Sequence, residues 1–429
     1  MRTPLRRAVE LASWASLLPP HRADGDDQPA GAPRYLDALD LAPGRWLTLV
    51  ADAAGRTYPV PLVAAGSGVR RARAGDGAAE ALAGLLGGGS REVGAFVLTS
   101  WHAEPVTGEA AIDVDQTNES VVLGGRGVVK WTFQATEGPH PAPAILELLE
   151  RAGFTGTPRP WGLVQWLPSR AAAPRLVASV TAYLPGAVDG WTWAVEDLRR
   201  ACTDGPDAVR TPGRRLGELV AHFHLALLPT RRPADAADVA RWHTEARADL
   251  RRALEATTGA EHAQLARHRD EIAAGAVPPP ELAGTPMLLG HGDLHVGQVL
   301  RAGESYAVID FDGNPVVPPA QRTRAQPPAL DVAGMTQSIR HAGLVLRKHH
   351  PDLDPARVER MTGEFVQAFL DAYRATLAAA GRADLLEEAL LRPFRLRQVC
   401  REFTYAATHL PRWAYVPAGA LPELVEGAR

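Results

Sequence analysis

The sequence predicts an α+β protein with a strand-rich N-terminal part and a mainly helical C-terminal part. Up to about residue 184, short apolar runs alternate with Gly, Ala and Pro loops, which is typical of strands joined by turns. From Trp191 onward, apolar residues recur at helical spacing, and two short strands interrupt this pattern around the most polar motifs. At 429 residues the chain exceeds one ordinary hydrophobic core, so we expect two or three structural units.

Residues 1–90 form the first predicted unit, a cap subdomain that carries no catalytic motif. The basic start, residues 1–7, leads into an interrupted apolar stretch, which we interpret as a short amphipathic helix and not as a signal peptide. Residues 45–50 and 58–63 are predicted strands, and residues 78–86 are a predicted short helix.

Residues 91–184 form the second predicted unit, a sheet-rich domain. Its predicted elements are a strand at 92–100, hairpin strands at 120–123 and 128–133, a helix at 143–152, and a strand at 176–183 that closes the sheet. Residues 124–127, Gly-Gly-Arg-Gly, predict a plain hairpin turn in preference to a nucleotide-binding glycine loop.

Residues 185–429 form the third predicted unit, which is mainly helical. Its clearest helix places four apolar residues on one face: Leu216, Val220, Phe223 and Leu227. A charged helical segment is predicted at 236–274, short strands at 287–289 and 306–309, and helices almost throughout the chain beyond Pro328.

The composition excludes several classes of protein. A net charge of −3 gives no electrostatic reason to expect nucleic acid or an anionic membrane as a partner, and no apolar run approaches the roughly 20 residues of a membrane span. Two cysteines are too few for a disulfide framework, so we expect a cytoplasmic protein. Only two of the 46 basic residues are lysines, Lys130 and Lys348, so a lysine within a strand stands out.

The strongest chemical signal lies at residues 291–298, His-Gly-Asp-Leu-His-Val-Gly-Gln, and at 309–315, Ile-Asp-Phe-Asp-Gly-Asn-Pro. Phosphoryl transfer needs a carboxylate that receives the proton of the acceptor hydroxyl, and oxygen ligands that hold Mg²⁺ against the phosphates. Asp293 fits the first role, and Gln298 and Asp310 fit the second. The alternative is that Asp293 only caps a turn and that Asp310 is a solvated residue at the end of a strand.

On residues 291–301, 309–315, 328–333 and 397–417, the sequence resembles the aminoglycoside-phosphotransferase-like kinases from about residue 115 to the C-terminus. It looks most like the maltokinases and, closer still, the bacterial glucosamine kinases. The resemblance implies a bilobal protein-kinase-like fold, Mg²⁺ and ATP as cofactors, and a sugar hydroxyl as acceptor. It also implies that Gln298 stands where many relatives carry Asn.

The resemblance further implies a nucleotide site in the sheet-rich domain. Lys130 would contact the α- and β-phosphates, although an edge-strand lysine that points to solvent is the alternative. Asn118, Glu119 and Ser120 resemble the loop that positions phosphates in maltokinases. Ala182 to Leu184 would donate backbone hydrogen bonds to adenine. Glu147 and Glu150 are available as the carboxylate partner of Lys130.

A polar stripe near the C-terminus predicts the acceptor site. Gln398, Glu402, Tyr405 and His409 fall on one face of a predicted helix, and Trp413 follows it. Because sugars are held by carboxylates, amides and aromatic rings, Glu402 and Trp413 are the main candidates, with Gln398 and Tyr405 in support. The alternative is a solvated helix face and a tryptophan of the core.

Two further residues have open roles. His295 would either orient the catalytic loop or contact the sugar. Asp331 would cap the helix that begins there and brace the catalytic loop, a structural role in preference to a catalytic one.

Three functions follow in order of preference. The first is a kinase that transfers the γ-phosphate of ATP to the 6-hydroxyl of glucosamine, which the resemblance implies at residues 312–315, Asp-Gly-Asn-Pro, where maltokinases more often show Glu-Gly-Glu-Pro. The alternatives are a maltokinase that forms maltose 1-phosphate and a non-catalytic pseudokinase that senses nucleotides. The expected partners are the sugar and ATP, without nucleic acid or membrane, and the oligomeric state stays open.

Overall fold

The computed structural model of the protein describes residues 3–19, 28–112 and 119–426. It combines helices and sheets as the sequence predicts. Within the described residues, no helix combines the length and the apolar character that crossing a membrane requires. Both cysteines are buried and free.

The described chain divides into two compact units, which we call the sheet unit and the helical unit. The sheet unit takes in the described residues up to Glu150, Pro158–Pro185 and Pro315–Thr323. The helical unit takes in Arg151–Thr157, Gly186–Asn314 and the described residues from Arg324 onward. The finer predicted boundaries at residues 90 and 184 stay predictions.

A four-stranded antiparallel sheet opens the sheet unit, with strand order β1-β2-β3-β4. Its elements and their helices are α1 (Thr3–Glu10), α2 (Trp14–Leu17), β1 (Arg34–Ala42), β2 (Arg45–Ala51), β3 (Thr57–Ala65), β4 (Gly68–Arg71) and α3 (Ala78–Gly87). Leu47 and Leu49 of β2 pack in one core with α3, whereas Val50 and Tyr58 pack with α1 and α2 on the other face. The predicted N-terminal helix, two strands and later helix are therefore confirmed, and β1 and β4 were missed.

A seven-stranded sheet completes the sheet unit, with strand order β5-β6-β10-β11-β9-β8-β7. Its elements are β5 (Arg91–Val93), β6 (Phe96–Ser100), β7 (Glu109–Ala111), β8 (Glu119–Leu123), β9 (Gly127–Trp131), α4 (Pro141–Arg151), β10 (Pro160–Trp166) and β11 (Arg175–Ala182). The single strand predicted at 92–100 is wrong, because the chain turns at Gly94, which has a positive φ of 61°. The prediction that residues 176–183 close the sheet is also wrong, since β11 lies between β10 and β9.

The turn between β8 and β9 follows from two glycines. Gly124 and Gly125 both have positive φ, 53° and 64°, a conformation that favours glycine and matches the twist of a tight hairpin. Arg126 N donates to Leu123 O at 2.8 Å and closes the turn. The predicted hairpin turn is confirmed.

The helical unit contains nine α-helices and two small two-stranded antiparallel sheets among its described residues. Its elements are α5 (Gly190–Asp204), α6 (Asp207–Ala226), β12 (Arg232–Pro233), α7 (Ala236–Ala256), α8 (Gly259–Arg267), α9 (Arg269–Gly275), β13 (Pro286–Met287), β14 (Val299–Ala302), β15 (Ser305–Val308), α10 (Pro328–His349), α11 (Pro355–Ala379), α12 (Leu391–His409) and α13 (Tyr415–Glu426). The charged helical segment predicted at 236–274 consists of three helices, α7 to α9. β14 was missed, and it pairs with β15.

Helices α6 and α11 pack closely at the centre of the helical unit. The predicted apolar face of α6 is confirmed, since Leu216, Val220 and Phe223 are fully buried. A Cβ atom at Gly217 would lie 2.3 Å from Phe369 O, and one at Gly213 would lie 2.8 Å from Phe365 O. Glycine on α6 therefore allows the two helix backbones to touch.

Candidate active site

The loop that follows β13 is fixed through its backbone by Asp331. His291 N donates to Asp331 Oδ2 at 2.8 Å, and Gly292 N donates to Asp331 Oδ1 at 2.9 Å. The predicted bracing role of Asp331 is confirmed. The capping explanation is wrong, because α10 begins at Pro328 with Pro327 as its N-cap, so Asp331 lies within the first turn.

Asp331 is a buried carboxylate that the surrounding groups keep ionised. Burial alone raises its pKa, but the hydrogen bond from His224 Nε2 at 3.2 Å and the nearby His291 outweigh burial, so the pKa of Asp331 lies below its usual value. An ionised carboxylate accepts two backbone N–H groups strongly. The loop is therefore held by charge-assisted bonds from inside the protein.

Asp293 lies at the tip of this loop and is only partly exposed. Asn314 Nδ2 donates to Asp293 Oδ1 at 2.8 Å. Burial raises the pKa of Asp293 to about 6, and the negative charges of Asp310 and Asp331 act in the same direction. A carboxylate with this pKa is ionised at neutral pH and is a stronger base than an exposed aspartate.

His291 joins the catalytic loop to the end of β15. Its Nδ1 accepts from Asp293 N at 3.3 Å, and its Nε2 lies 3.0 Å from Ile309 O. Because a carbonyl oxygen only accepts, His291 carries its proton on Nε2. The His291 ring therefore connects the backbone at Asp293 to the backbone next to Asp310.

Asp310 lies two residues beyond the end of β15 and has a positive φ of 64°, and no other described non-glycine residue has a positive φ. Such a conformation costs about 1–3 kcal/mol and occurs mostly where it serves a site. Phe311, the next residue, is buried and stacks on Phe223 with 5.8 Å between ring centroids. This anchor holds the unusual turn and directs the exposed Asp310 away from the core.

Gln298 and Asp310 are brought to neighbouring positions by the β14–β15 pairing. Ile309 N donates to the backbone oxygen of Gln298 at 2.9 Å. The described residues contain no group of three or more His, Cys, Asp or Glu side chains arranged to hold a metal ion. Mg²⁺ in phosphoryl-transfer sites needs fewer protein ligands, since it retains waters and takes phosphate oxygens. Asp310, an exposed carboxylate, and Gln298, an amide at a neighbouring backbone position, fit that requirement.

The predicted polar stripe lies on α12, with all four residues inside the helix. Gln398 Nε2 donates to Glu402 Oε1 at 3.0 Å. Burial raises the pKa of Glu402 to about 8, and the charge of Asp293 adds to this effect. Glu402 is therefore a half-buried carboxylate within electrostatic range of the catalytic loop. Tyr405 is exposed and packs on His409 with 5.2 Å between ring centroids.

Trp413 and His295 are linked by a residue that the sequence did not single out, Trp191. Trp191 stacks on His295 at 5.9 Å between centroids and meets Trp413 edge-on at 5.8 Å. His295 Nδ1 also accepts from Gly297 N at 3.0 Å, and burial lowers the pKa of His295 to about 4. The loop-orienting role of His295 therefore has contacts in its support, and its contact with a sugar stays a prediction.

The backbone near Trp191 leaves no space for larger residues. A Cβ atom at Gly190 would lie 1.6 Å from Val296 O, and one at Gly297 would lie 2.7 Å from Trp191 Nε1. The start of α5 therefore touches the chain directly after His295. The sequence signal that could have identified Trp191 is the pair Gly190-Trp191 at the start of a predicted helix.

The predicted nucleotide residues lie in the sheet unit. Lys130 lies on β9 and pairs in register with Ser120 on β8 and Ser179 on β11. The alternative of an edge-strand lysine is therefore wrong, because β9 has a neighbour on both sides. Asn118 lies outside the described residues, and for Glu119 the structure describes the backbone position in β8.

The remaining nucleotide predictions are affected by local hydrogen bonds. Ala182 N donates to Arg159 O at 2.8 Å, so this N–H is not available to adenine in this structure. Glu147 accepts from Trp101 Nε1 at 2.9 Å, and Glu150 lies 2.5 Å from His102 Nε2. The nucleotide contact of Leu184 and the carboxylate partner of Lys130 stay predictions.

Two further residues of the site were missed as functional side chains. Asn314 belongs to the 309–315 motif and had no predicted role, although it is one of two asparagines in the chain and donates to Asp293. His341 lies 3.2 Å from Glu402 Oε2, through the packing of α10 on α12. No local sequence pattern marks that second contact.

Comparisons with known proteins identify the family of the chain. The model of the phosphotransferase enzyme family (APH) matches residues 132–386. A glucosamine kinase of Streptacidiphilus jiangxiensis is 48% identical over 403 residues, which cover 92% of this chain and 92% of that protein. A glucosamine kinase of Mycolicibacterium smegmatis is 45% identical over 399 residues, which cover 91% of this chain and 98% of that protein.

Solved structures show the same similarity over the whole chain. A glucosamine kinase in complex with glucosamine, ADP and inorganic phosphate is 44% identical, with a TM-score of 0.84, and the match covers 99% of this chain and 100% of that chain. Another crystal form of a glucosamine kinase gives a TM-score of 0.86. The predicted α+β kinase-like fold and the resemblance to aminoglycoside-phosphotransferase-like kinases are confirmed. Because the family model spans more than half of the chain, and the relatives match nine-tenths of it, the chain belongs to the phosphotransferase enzyme family.

Proposed function

We propose that the protein is an ATP-dependent glucosamine kinase that transfers the γ-phosphate of ATP to the 6-hydroxyl of D-glucosamine. The observation that carries this proposal is Asp293, a partly buried carboxylate on a loop clamped by Asp331, with a pKa raised to about 6 by burial. Two relatives named glucosamine kinase match nine-tenths of the chain or more, and a structure that is 44% identical holds glucosamine and ADP.

Asp293 acts as the base in this proposal. The oxygen of the acceptor hydroxyl attacks the γ-phosphorus, its proton moves to the Asp293 carboxylate, and ADP leaves. The hydrogen bond from Asn314 and the clamp on the loop fix the carboxylate in position, so most of the rate gain comes from orientation. Neutral pH keeps this group ionised and ready to accept the proton.

The nucleotide side of the proposal has two separate sets of residues. Gln298 and Asp310 would hold Mg²⁺, which neutralises charge on the phosphates when bound. Lys130, on a central strand of the seven-stranded sheet, would contact the phosphates as a compact point charge. Ser120 lies beside it in register and supports a phosphate-binding role for this edge of the hairpin.

The acceptor side of the proposal is the polar face of α12. A buried carboxylate gains most from a partner of opposite charge, and the protonated amine of glucosamine is such a partner for Glu402. The amide of Gln398 donates to Glu402 Oε1 and orients the carboxyl group. Trp413, against Trp191, would offer an aromatic surface to the sugar ring, and Tyr405 and His295 would border it.

The test is an ADP-release assay with Mg·ATP and five acceptors: glucosamine, glucose, N-acetylglucosamine, maltose and an aminoglycoside. We expect clear preference for glucosamine, with phosphorus–proton NMR correlation placing the phosphate on carbon 6. Asp293→Asn is the control, since it keeps the shape of the side chain and removes its basicity. Preference for maltose with a 1-phosphate product would overturn the acceptor assignment, and ADP release by Asp293→Asn at the wild-type rate would overturn the assigned base.

A further inference from the structure

A row of four side chains leads from the outer part of α12 to the buried end of Glu402. Arg395 Nε donates to Gln337 Oε1 at 3.0 Å, and Gln337 Nε2 lies 2.9 Å from His341 Nε2. The same His341 nitrogen lies 3.2 Å from Glu402 Oε2. Gln337 and His341 are one turn apart on α10, and both are buried. We call this row the Arg395 relay.

The chemistry of the groups fixes every proton in the relay. Arginine nitrogens only donate, so the Gln337 atom that faces Arg395 must be its amide oxygen. The amide nitrogen of Gln337 then faces His341, and an amide nitrogen also only donates. His341 Nε2 must therefore accept. Burial lowers the pKa of His341 to about 3, which keeps the ring neutral with its proton on Nδ1.

Glu402 consequently faces a lone pair where a histidine N–H would normally be expected. Its Oε1 receives the bond from Gln398, whereas Oε2 is buried and has no hydrogen-bond partner among the described residues. Ionising a carboxyl group whose buried oxygen has no hydrogen-bond donor is energetically unfavourable. This agrees with the pKa of Glu402, which burial raises to about 8.

The other charged groups around Glu402 do not supply the missing donor. Arg397 and Arg401, on the same helix, both point to Asp249 of α7 at 3.1 Å. Asp293, from the catalytic loop, carries negative charge and acts against ionisation of Glu402. Protonated Glu402 can itself donate to His341 Nε2, but among the described residues ionised Glu402 has no donor for Oε2.

We propose that Gln337 and His341, fixed by Arg395, are positioning residues that withhold a hydrogen-bond donor from Glu402, so that the ammonium group of an amino sugar provides it. This inference rests on the proposed function. A protonated amine brings both a donor and a positive charge, whereas a neutral hydroxyl brings only a donor. The relay thus increases the preference for an amino sugar over a neutral sugar. When the amino sugar binds, the protonated Glu402 side chain releases its proton to solvent, and the resulting carboxylate pairs with the ammonium group.

The test replaces the donor that defines the relay. In Gln337→Glu, the introduced carboxylate still accepts from Arg395, but it now accepts from His341 Nε2 as well. His341 then carries one proton on Nε2, which lies between the introduced carboxylate and Glu402 Oε2 and is shared by both acceptors. We expect the ratio of kcat/KM for glucosamine to that for glucose to fall by about tenfold or more, mainly through the KM for glucosamine. Nitrogen NMR of labelled histidines should show His341 changing from the Nδ1–H form to an Nε2-protonated form.

A matched control and a second variant separate this effect from changes in folding. Gln367→Glu makes the same charge change on α11, in a surface cavity that Arg395 also lines, without contacting His341, and should leave the ratio unchanged. His341→Gln should lower the ratio too, because its amide can accept from Gln337 and donate to Glu402. An unchanged ratio in folded Gln337→Glu and His341→Gln would overturn the inference. Failure of the wild type to phosphorylate glucosamine would instead overturn the proposed function.

Discussion

The pKa of Asp293 predicts where activity is lost in acid. Burial raises this pKa to about 6, so the ionised fraction is roughly 0.9 at pH 7 and roughly 0.1 at pH 5. If ionised Asp293 is the base, kcat/KM falls about tenfold across that interval. An ordinary aspartate, with a pKa of about 4, would lose almost nothing by pH 5.

The assay must separate Asp293 from Glu402, whose pKa of about 8 would add a second rise with pH. We would therefore measure kcat/KM for the acceptor in Glu402→Gln, at saturating Mg·ATP, from pH 4.5 to 8. Circular dichroism at each pH shows whether the fold is retained. A midpoint near pH 6 is expected in this variant.

Removing Asn314 provides an independent test of the same argument. Its amide donates to Asp293 Oδ1 at 2.8 Å and stabilises the charged form. A hydrogen bond of about 0.5–1.5 kcal/mol corresponds to roughly half to one pH unit. In Asn314→Ala, with Glu402→Gln retained, the midpoint should therefore move upward by that amount. A midpoint near pH 4, or a downward shift in Asn314→Ala, would refute the reasoning.

Three further predictions test the framework of the site. Gly217→Ala should lower the free energy of unfolding in urea by about 1–3 kcal/mol, because its Cβ would lie 2.3 Å from Phe369 O. Its control, Gly363→Ala, places the Cβ in open space and should raise the free energy of unfolding by up to about 1 kcal/mol. Asp331→Asn should lower kcat about ten- to hundredfold in a folded protein, since the loop N–H groups lose a charged acceptor; wild-type kcat would exclude the clamp. Trp191→Leu should raise the acceptor KM up to about tenfold while kcat changes little, and an unchanged KM would remove it from the acceptor site.

The elements that the sequence predicted well are those whose stability is encoded locally. The apolar face of α6 repeats every three or four residues, so Leu216 and Val220 could be placed without knowing their partners. The hairpin at Gly124 followed from glycines that accept positive φ. Strand β10 was missed because it lies between β11 and β6, and β6 is far away in sequence.

The same division between local and long-range information holds within the site. The spacing of Asp293, Gln298 and Asp310 is local to one loop and one hairpin, so a sequence pattern could identify all three. The environment of Glu402 is different, because His341 reaches it only through the packing of α10 on α12. Position along a helix indicates that a carboxylate is on the same face as an amide, but not which proton a distant histidine carries. The selection of the acceptor sugar therefore depends on contacts that form only in the folded chain, whereas the residues proposed for phosphoryl transfer lie in contiguous sequence motifs.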